Sequence, residues 1–185
     1  MQVQKTQLFS DLRPSVFIAG QKGSGCSEVA RILARKLSPE FEVLDYSQLV
    51  RKAVSDTGLS FSQFFATKRD FTDDLQKAAY QHADYNAVVE GKSAFIGLDA
   101  PAFKVLLKSS LEARARHVSE VYEVRLDEAL VMIKKSDEKR QRLVKKLHGH
   151  NWLDSSLYNL VIDTTGLNPE EVADIIYRCY LSAFD

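Results

Sequence analysis

The chain has 185 residues, 45% hydrophobic and 27% charged, and its 25 basic and 25 acidic side chains cancel to zero net charge. That length and composition suit one globular domain, and the charge balance excludes any overall electrostatic case for nucleic acid or a membrane surface as partner. The only two cysteines, Cys26 and Cys179, form neither a disulfide framework nor a zinc spacing. No apolar run is long enough to span a bilayer and no signal-peptide core is present, so the cytoplasm is the expected compartment.

Residues 1–15 are polar, contain Pro14 and lack periodicity, which predicts an N-terminal extension ahead of a single domain over 16–185. Val16 to Ala19 reads as a buried strand. It runs into Gly20-Gln21-Lys22-Gly23-Ser24-Gly25-Cys26-Ser27 and then a helix whose Val29, Ala30, Ile32, Leu33 and Leu37 recur at helical spacing. Phe41–Asp45 predicts a second strand, and Ser47 can cap a helix carrying Leu49, Val50, Ala53 and Val54, ended by Gly58. A short helical piece holds Phe64 and Phe65, and Thr72-Asp73-Asp74 opens a helix to about Ala83. Ala87–Gly91 and Phe103–Leu107 predict strands three and four. Ser110 caps a helix through Arg114 and Val118, and 126–147 forms a long, densely charged helix. Leu160–Asp163 is the fifth strand, and Asn168-Pro169-Glu170-Glu171 starts the last helix. Strands alternating with helices predict an α/β fold with a mainly parallel sheet.

Strand, glycine-rich loop and helix in that order form a phosphate-binding layout. Gly20, Gly25 and Ser27 fit the P-loop pattern G-x-x-x-x-G-K-[ST], but Cys26 occupies the lysine position. Glycines let backbone N–H groups approach phosphate oxygens, and the helix starting near Cys26 points its positive end at the same anion. Ser27 keeps the hydroxyl that would meet Mg²⁺ between the β- and γ-phosphates of ATP. Lys22 lies within the loop and can supply part of the missing charge. Other candidates keep two readings. Arg51 is either an acceptor-phosphate contact or a solvated cation; Asp45, at a strand end, is either a ligand group or a helix cap. Glu90, Gly91 and Lys92 also follow a strand end, where parallel sheets gather ligands. The basic run from Lys134 to Lys146 is either a cover over polyphosphate or a solvated helix face.

From about Phe17 to Ile176 the sequence resembles the cytidylate kinases, in their compact archaeal-type branch of P-loop nucleoside monophosphate kinases. Gly23-Ser24-Gly25 with Ser27-Glu28-Val29-Ala30 is similar to the family's first loop and helix. Asp45 to Arg51 resembles the segment ending in an acceptor-phosphate arginine. Val89-Glu90-Gly91-Lys92 resembles the Glu-Gly-Arg turn with lysine for arginine. The most specific match is Ser156-Leu157-Tyr158-Asn159-Leu160-Val161-Ile162-Asp163-Thr164. The resemblance implies a five-stranded parallel sheet flanked by helices, a monophosphate-binding segment near 46–83 and a helical lid near 120–154. The implied reaction moves the γ-phosphoryl of ATP, with Mg²⁺, to CMP or dCMP.

By that likeness ATP is held by residues 20–27 (Gly20, Gln21, Lys22, Gly23, Ser24, Gly25, Cys26 and Ser27) and by Arg114, with Ser27 on the metal. The acceptor falls to Asp45, Arg51, Glu90, Gly91 and Lys92, and the catalytic charges to Lys22, Lys92, Arg140 and Arg142. Spacing back from Gly149 puts Ser136 and Leu143 where two lid arginines would stand, and His117 where another would. Arg140 and Arg142 are expected to compensate only through a shift in helix register. Depleted charge leaves a second reading, a nucleotide-binding protein without the reaction. The oligomeric state is open.

Overall fold

The computed structural model describes residues 12–67 and 70–184. Strand β1, Val16–Gly20, is buried along its whole length because both of its faces are covered. Val16 and Ile18 turn to a cluster with Val29, Leu33, Ile176 and Tyr180, while Phe17 and Ala19 turn to Phe95, Leu106, Val144 and Trp152. Side chains that alternate between two apolar layers place β1 at the centre of a covered parallel sheet. The sheet order is β2-β3-β1-β4-β5, with β2 Glu42–Leu44, β3 Ala87–Glu90, β4 Phe103–Lys108 and β5 Leu160–Asp163, all pairs parallel.

Helices α1 (Cys26–Leu37) and α8 (Pro169–Phe184) cover one face. The other carries α5 (Lys92–Ile96) and the C-terminal half of α7 (Leu126–His148), where Phe95 meets Trp152 edge-on at 5.2 Å. Helices α2 (Tyr46–Thr57), α3 (Phe61–Thr67) and α4 (Thr72–His82) form the 46–83 segment, joined to the body through Leu49, Ala53, Leu75, Ala79 and Ile96. Helix α6 (Leu111–Tyr122) packs on α7 through Ala115, Val118, Ala129 and Ile133.

Three expectations change. The start of α2 is capped by Asp45, not Ser47: Asp45 Oδ1 accepts from Gln48 N–H at 2.8 Å, and Gln48 Oε1 accepts from Asp45 N–H at 2.9 Å. This reciprocal pair satisfies two open helix-end donors, which a Ser47 cap one residue inside the helix could not do. The proposed extension shortens, because residues 13–15 are pinned to the sheet. Ser15 is buried, its O accepts from Phe103 N–H, its Oγ accepts from Ala87 N–H, and Tyr180 OH donates to Pro14 O at 2.6 Å. Residues 1–11 lie outside the described residues. Finally, α5 had no counterpart in the sequence reading, being one and a half turns between two glycines.

Candidate active site

β1 delivers the loop to the C-terminal edge of the sheet, where open α/β folds gather ligand groups. Gln21 N–H donates to Leu107 O on β4 at 3.2 Å, and Ser24 closes the turn with N–H and Oγ both donating to Gln21 O. Gly23, at φ 86°, passes so close to α6 that a Cβ there would lie 2.8 Å from Arg114 O. Gly25, at φ 87°, is the N-cap of α1 and brings no side-chain cap, so the first-turn amides stay available to an anion.

The loop borders a cavity of about 260 Å³, completed by Glu28 and Arg31 of α1, Glu90 at the end of β3 and Gly91 after it, His117 and Tyr122 of α6, and Arg140 of α7. A second cavity of about 270 Å³ shares Gly23, Gly25, Glu28 and His117 with it and extends to Ser109, Thr164 and Gly166. Ser27 Oγ donates to Glu90 Oε2 at 3.0 Å. Burial raises the Glu90 pKa and the Asp45 carboxylate adds to it, against the Ser27 hydrogen bond and the charges of Arg140 and Arg31. Mg²⁺ takes oxygen ligands, commonly one or two carboxylates with phosphates and water, so the Ser27 hydroxyl and the Glu90 carboxylate fit the implied ion.

Residues 66–166 match the profile of the cytidylate kinase-like family. A cytidylate kinase of Pyrobaculum islandicum is 30% identical over 176 residues, covering 91% of this chain and 95% of its own. The chain belongs to the cytidylate kinase-like family. The fold agrees with that placement. An uncharacterized protein from Eubacterium ventriosum superposes with TM-score 0.73 at 23% identity, over 91% of this chain and 98% of that one. Shikimate kinase from Acinetobacter baumannii superposes with TM-score 0.58 at 15% identity, over 97% and 98%. The five-stranded parallel sheet with its P-loop is thus a P-loop kinase fold.

Within this cytidylate kinase-like chain the residues singled out from sequence separate into those at the cavity and those away from it. Gln21, Lys22, Gly23, Gly25, Cys26, Ser27, Glu90, Gly91 and Arg140 line it together. Gly20 and Ser24 shape it from behind: a Cβ on Gly20 would run into Cys26 Sγ and Ser24 Oγ. The Cys26 thiol lies 3.6 Å from Ser24 Oγ, and burial pushes its pKa up to about 11, so it carries no charge at neutral pH. Lys22 Nζ donates to Tyr122 OH at 3.0 Å and sits 4.2 Å from that ring's centroid.

Lys92 faces a different space, a cavity of about 120 Å³ with Tyr46, Phe71, Leu75 and Leu143, its Nζ 3.9 Å from the Tyr46 ring centroid. Arg51 is exposed on α2, on the face away from buried Leu49 and Ala53. Arg142 is exposed on α7 and lines none of these three cavities. Arg114 is turned inward: its Nη1 donates to Asp137 Oδ2 at 2.7 Å, with 7% of the side chain exposed.

No register shift is needed for Arg140. Its side chain is 17% exposed, and Nη1 donates to Ser136 Oγ and stands 3.6 Å from Asp137 Oδ1. Two residues were missed by sequence reasoning. Arg31, one turn after Ser27, lines the cavity and donates from Nε to Ser27 O at 3.0 Å. Asp137 joins Arg114 and Arg140 and accepts from Lys22 N–H at 3.4 Å. Its three-residue spacing from Arg140 was a visible signal for a helical ion pair; its link to the loop, 115 residues away, was not.

Proposed function

We propose that this protein is a nucleoside monophosphate kinase that transfers the γ-phosphoryl of ATP to CMP or dCMP. One observation carries the reading: a single cavity brings an uncapped P-loop helix, the Ser27–Glu90 pair and the Arg140 guanidinium to the same point. The ATP phosphates lie along the loop amides, and the nucleoside extends into the flanking cavity beside Ser109 and Thr164. The acceptor lies across the Glu90-Gly91-Lys92 turn, in the space bounded by Tyr46, Phe71 and Lys92. Cytidylate kinase relatives support the choice of a cytosine acceptor.

In the reaction an oxygen of the acceptor monophosphate bonds to the γ-phosphorus. The bond from that phosphorus to the β–γ bridging oxygen breaks, the electron pair leaves with ADP, and a nucleoside diphosphate forms. Such transfer depends on position and charge rather than covalent help from the protein. Ser27 and Glu90 would hold Mg²⁺, which neutralises charge on the β- and γ-oxygens when bound. Arg140, Arg31 and Lys22 supply positive charge around the loop; Lys92 borders the acceptor cavity, and Arg51, outside it on the exposed face of α2, is the candidate second contact to the acceptor phosphate.

A coupled assay of ADP release across CMP, dCMP, UMP, AMP and GMP, beside binding titrations, tests this. Turnover is expected with CMP and dCMP above the rest. Tight binding of ATP and CMP with no turnover for any acceptor would replace the enzyme with a nucleotide-binding protein.

A further inference from the structure

Helix α6 meets the loop at two successive turns. A Cβ on Gly23 would lie 3.0 Å from Val118 Cγ2 and 2.8 Å from Arg114 O, so loop and helix stand too close for a side chain between them. Tyr122 comes one helical turn beyond Val118, on the same face, and it meets the residue before Gly23. Lys22 Nζ donates to Tyr122 OH at 3.0 Å and lies 4.2 Å from the centroid of the ring. The helix is itself fixed on α7 through Ala115, Val118, Ala129 and Ile133. It ends at Tyr122 because Glu123 takes the left-handed conformation at φ 52°. That turn is closed by Val124 N–H donating to Ser119 O and by Ser119 Oγ donating to Val124 O. Packing and a closed helix end thus place the ring beside Lys22.

Both side chains line the cavity of about 260 Å³ that the loop borders. Lys22 is the only charged side chain between Gly20 and Ser27, where Cys26 ends in a neutral thiol. A loop lysine is ordinarily a solvated charge on a flexible stem, and ordering it costs side-chain entropy. Here the Tyr122 ring and hydroxyl order the ammonium before a ligand arrives, and Lys22 N–H donates to Asp137 Oδ1 at 3.4 Å. The hydroxyl also keeps a donor: it accepts from Lys22, and among the described residues its own hydrogen has no acceptor. The ammonium gives one hydrogen to Tyr122 and, among the described residues, has no other partner for the rest.

We propose that Tyr122 is a phosphate-binding residue of the donor site: it holds the Lys22 ammonium at the cavity wall and offers its own hydroxyl hydrogen to the phosphate chain of ATP. Lys22 and Tyr122 then act as one unit, in which the ammonium polarises the hydroxyl beside it. The proposal rests on the reading above for the identity of the ligand, ATP, and not for turnover.

The test measures ATP and CMP affinity by calorimetry for wild type, Tyr122→Phe, Tyr122→Leu, Lys22→Met and the Lys22→Met, Tyr122→Leu double variant, then kcat and both KM values. Tyr122 is exposed, and unchanged circular dichroism with unchanged CMP affinity checks that the fold and the acceptor side are intact. Tyr122→Phe keeps the ring under the ammonium and is expected to weaken ATP about fivefold. Tyr122→Leu removes ring and hydroxyl and is expected to weaken ATP about twentyfold, close to the loss in Lys22→Met. The double variant is expected to fall within about threefold of the weaker single variant, because the two residues act together. The losses appear in KM for ATP, with KM for CMP unchanged. Arg140→Ala, which removes a cation from the facing wall, is the reference and is expected to lower kcat about a hundredfold.

Losses from Lys22→Met and Tyr122→Leu that multiply in the double variant would overturn the proposal. So would wild-type ATP affinity in Tyr122→Phe, which would leave the hydroxyl without a ligand. Tighter ATP binding by Tyr122→Leu would overturn it as well, since Tyr122 would then hold the ammonium away from the nucleotide. A wild type that binds ATP and CMP without turnover defeats the kinase reading alone, because the coupling of Lys22 to Tyr122 is read from binding.

Discussion

The loop from Gly20 to Ser27 presents backbone amides and the positive end of α1 to the cavity, whereas α7, facing it, offers the side chains Asp137 and Arg140. The loop wall depends on backbone shape: Gly23 and Gly25 at positive φ, and a turn closed by Ser24 on Gln21. The α7 wall depends on helical register: Arg140 enters the cavity, while Arg142, two positions on, is exposed. A backbone wall keeps its anion site when a side chain such as the P-loop lysine is replaced. A side-chain wall can take up a lost charge, provided that a neighbouring residue lands on the inward face and is held there.

The largest effect is expected from breaking the backbone wall. Gly25→Val puts a β-branched residue at φ 87°, a conformation it resists, at the cap from which the phosphate amides follow. Calorimetry is expected to show ATP affinity reduced at least a hundredfold in a protein whose circular dichroism is unchanged. Undiminished affinity would remove the P-loop from the site.

Next comes the acceptor side, which neither wall serves. Arg51→Ala is expected to weaken CMP about tenfold, the loss of roughly one charge-assisted hydrogen bond, with ATP affinity unchanged. Equal affinities before and after would mark Arg51 as a solvated cation, in keeping with its exposure, and leave the acceptor phosphate to Lys92.

The ion pairs that fix α7 can be weighed by stability. Asp137→Asn removes the charge facing Arg114, whose side chain is 7% exposed, and is expected to lower the unfolding free energy by about 1.5 kcal/mol in urea titration. An unchanged midpoint would mean that α7 is placed by its apolar contacts at Ala129, Ile133 and Val144 alone.

The smallest effect sharpens the register argument. Arg142→Ala, an exposed change, is expected to alter kcat and KM less than twofold. A loss rivalling that of Arg140→Ala would show that α7 turns on its axis when nucleotide binds.

Much of this protein was determined by local sequence. Short apolar runs marked the five strands, 3.6-residue periodicity marked the helices, and the glycines around Ser24 marked the candidate anion site, because each signal acts within a few residues. Asp45 needed only Gln48 three residues on to become a cap, although Ser47 read equally well. What only the tertiary structure decided were the pairings across the chain. Arg140 reached the loop because Val144 and Ile133 anchor α7 in two different cores and so set which face turns inward. Asp137 meets Lys22 across 115 positions, and Glu90 meets Ser27 across 63. The charge on a P-loop can be read in sequence when its lysine lies in the loop. When it comes from a helix more than a hundred residues later, only the packing that orients that helix determines where the charge falls.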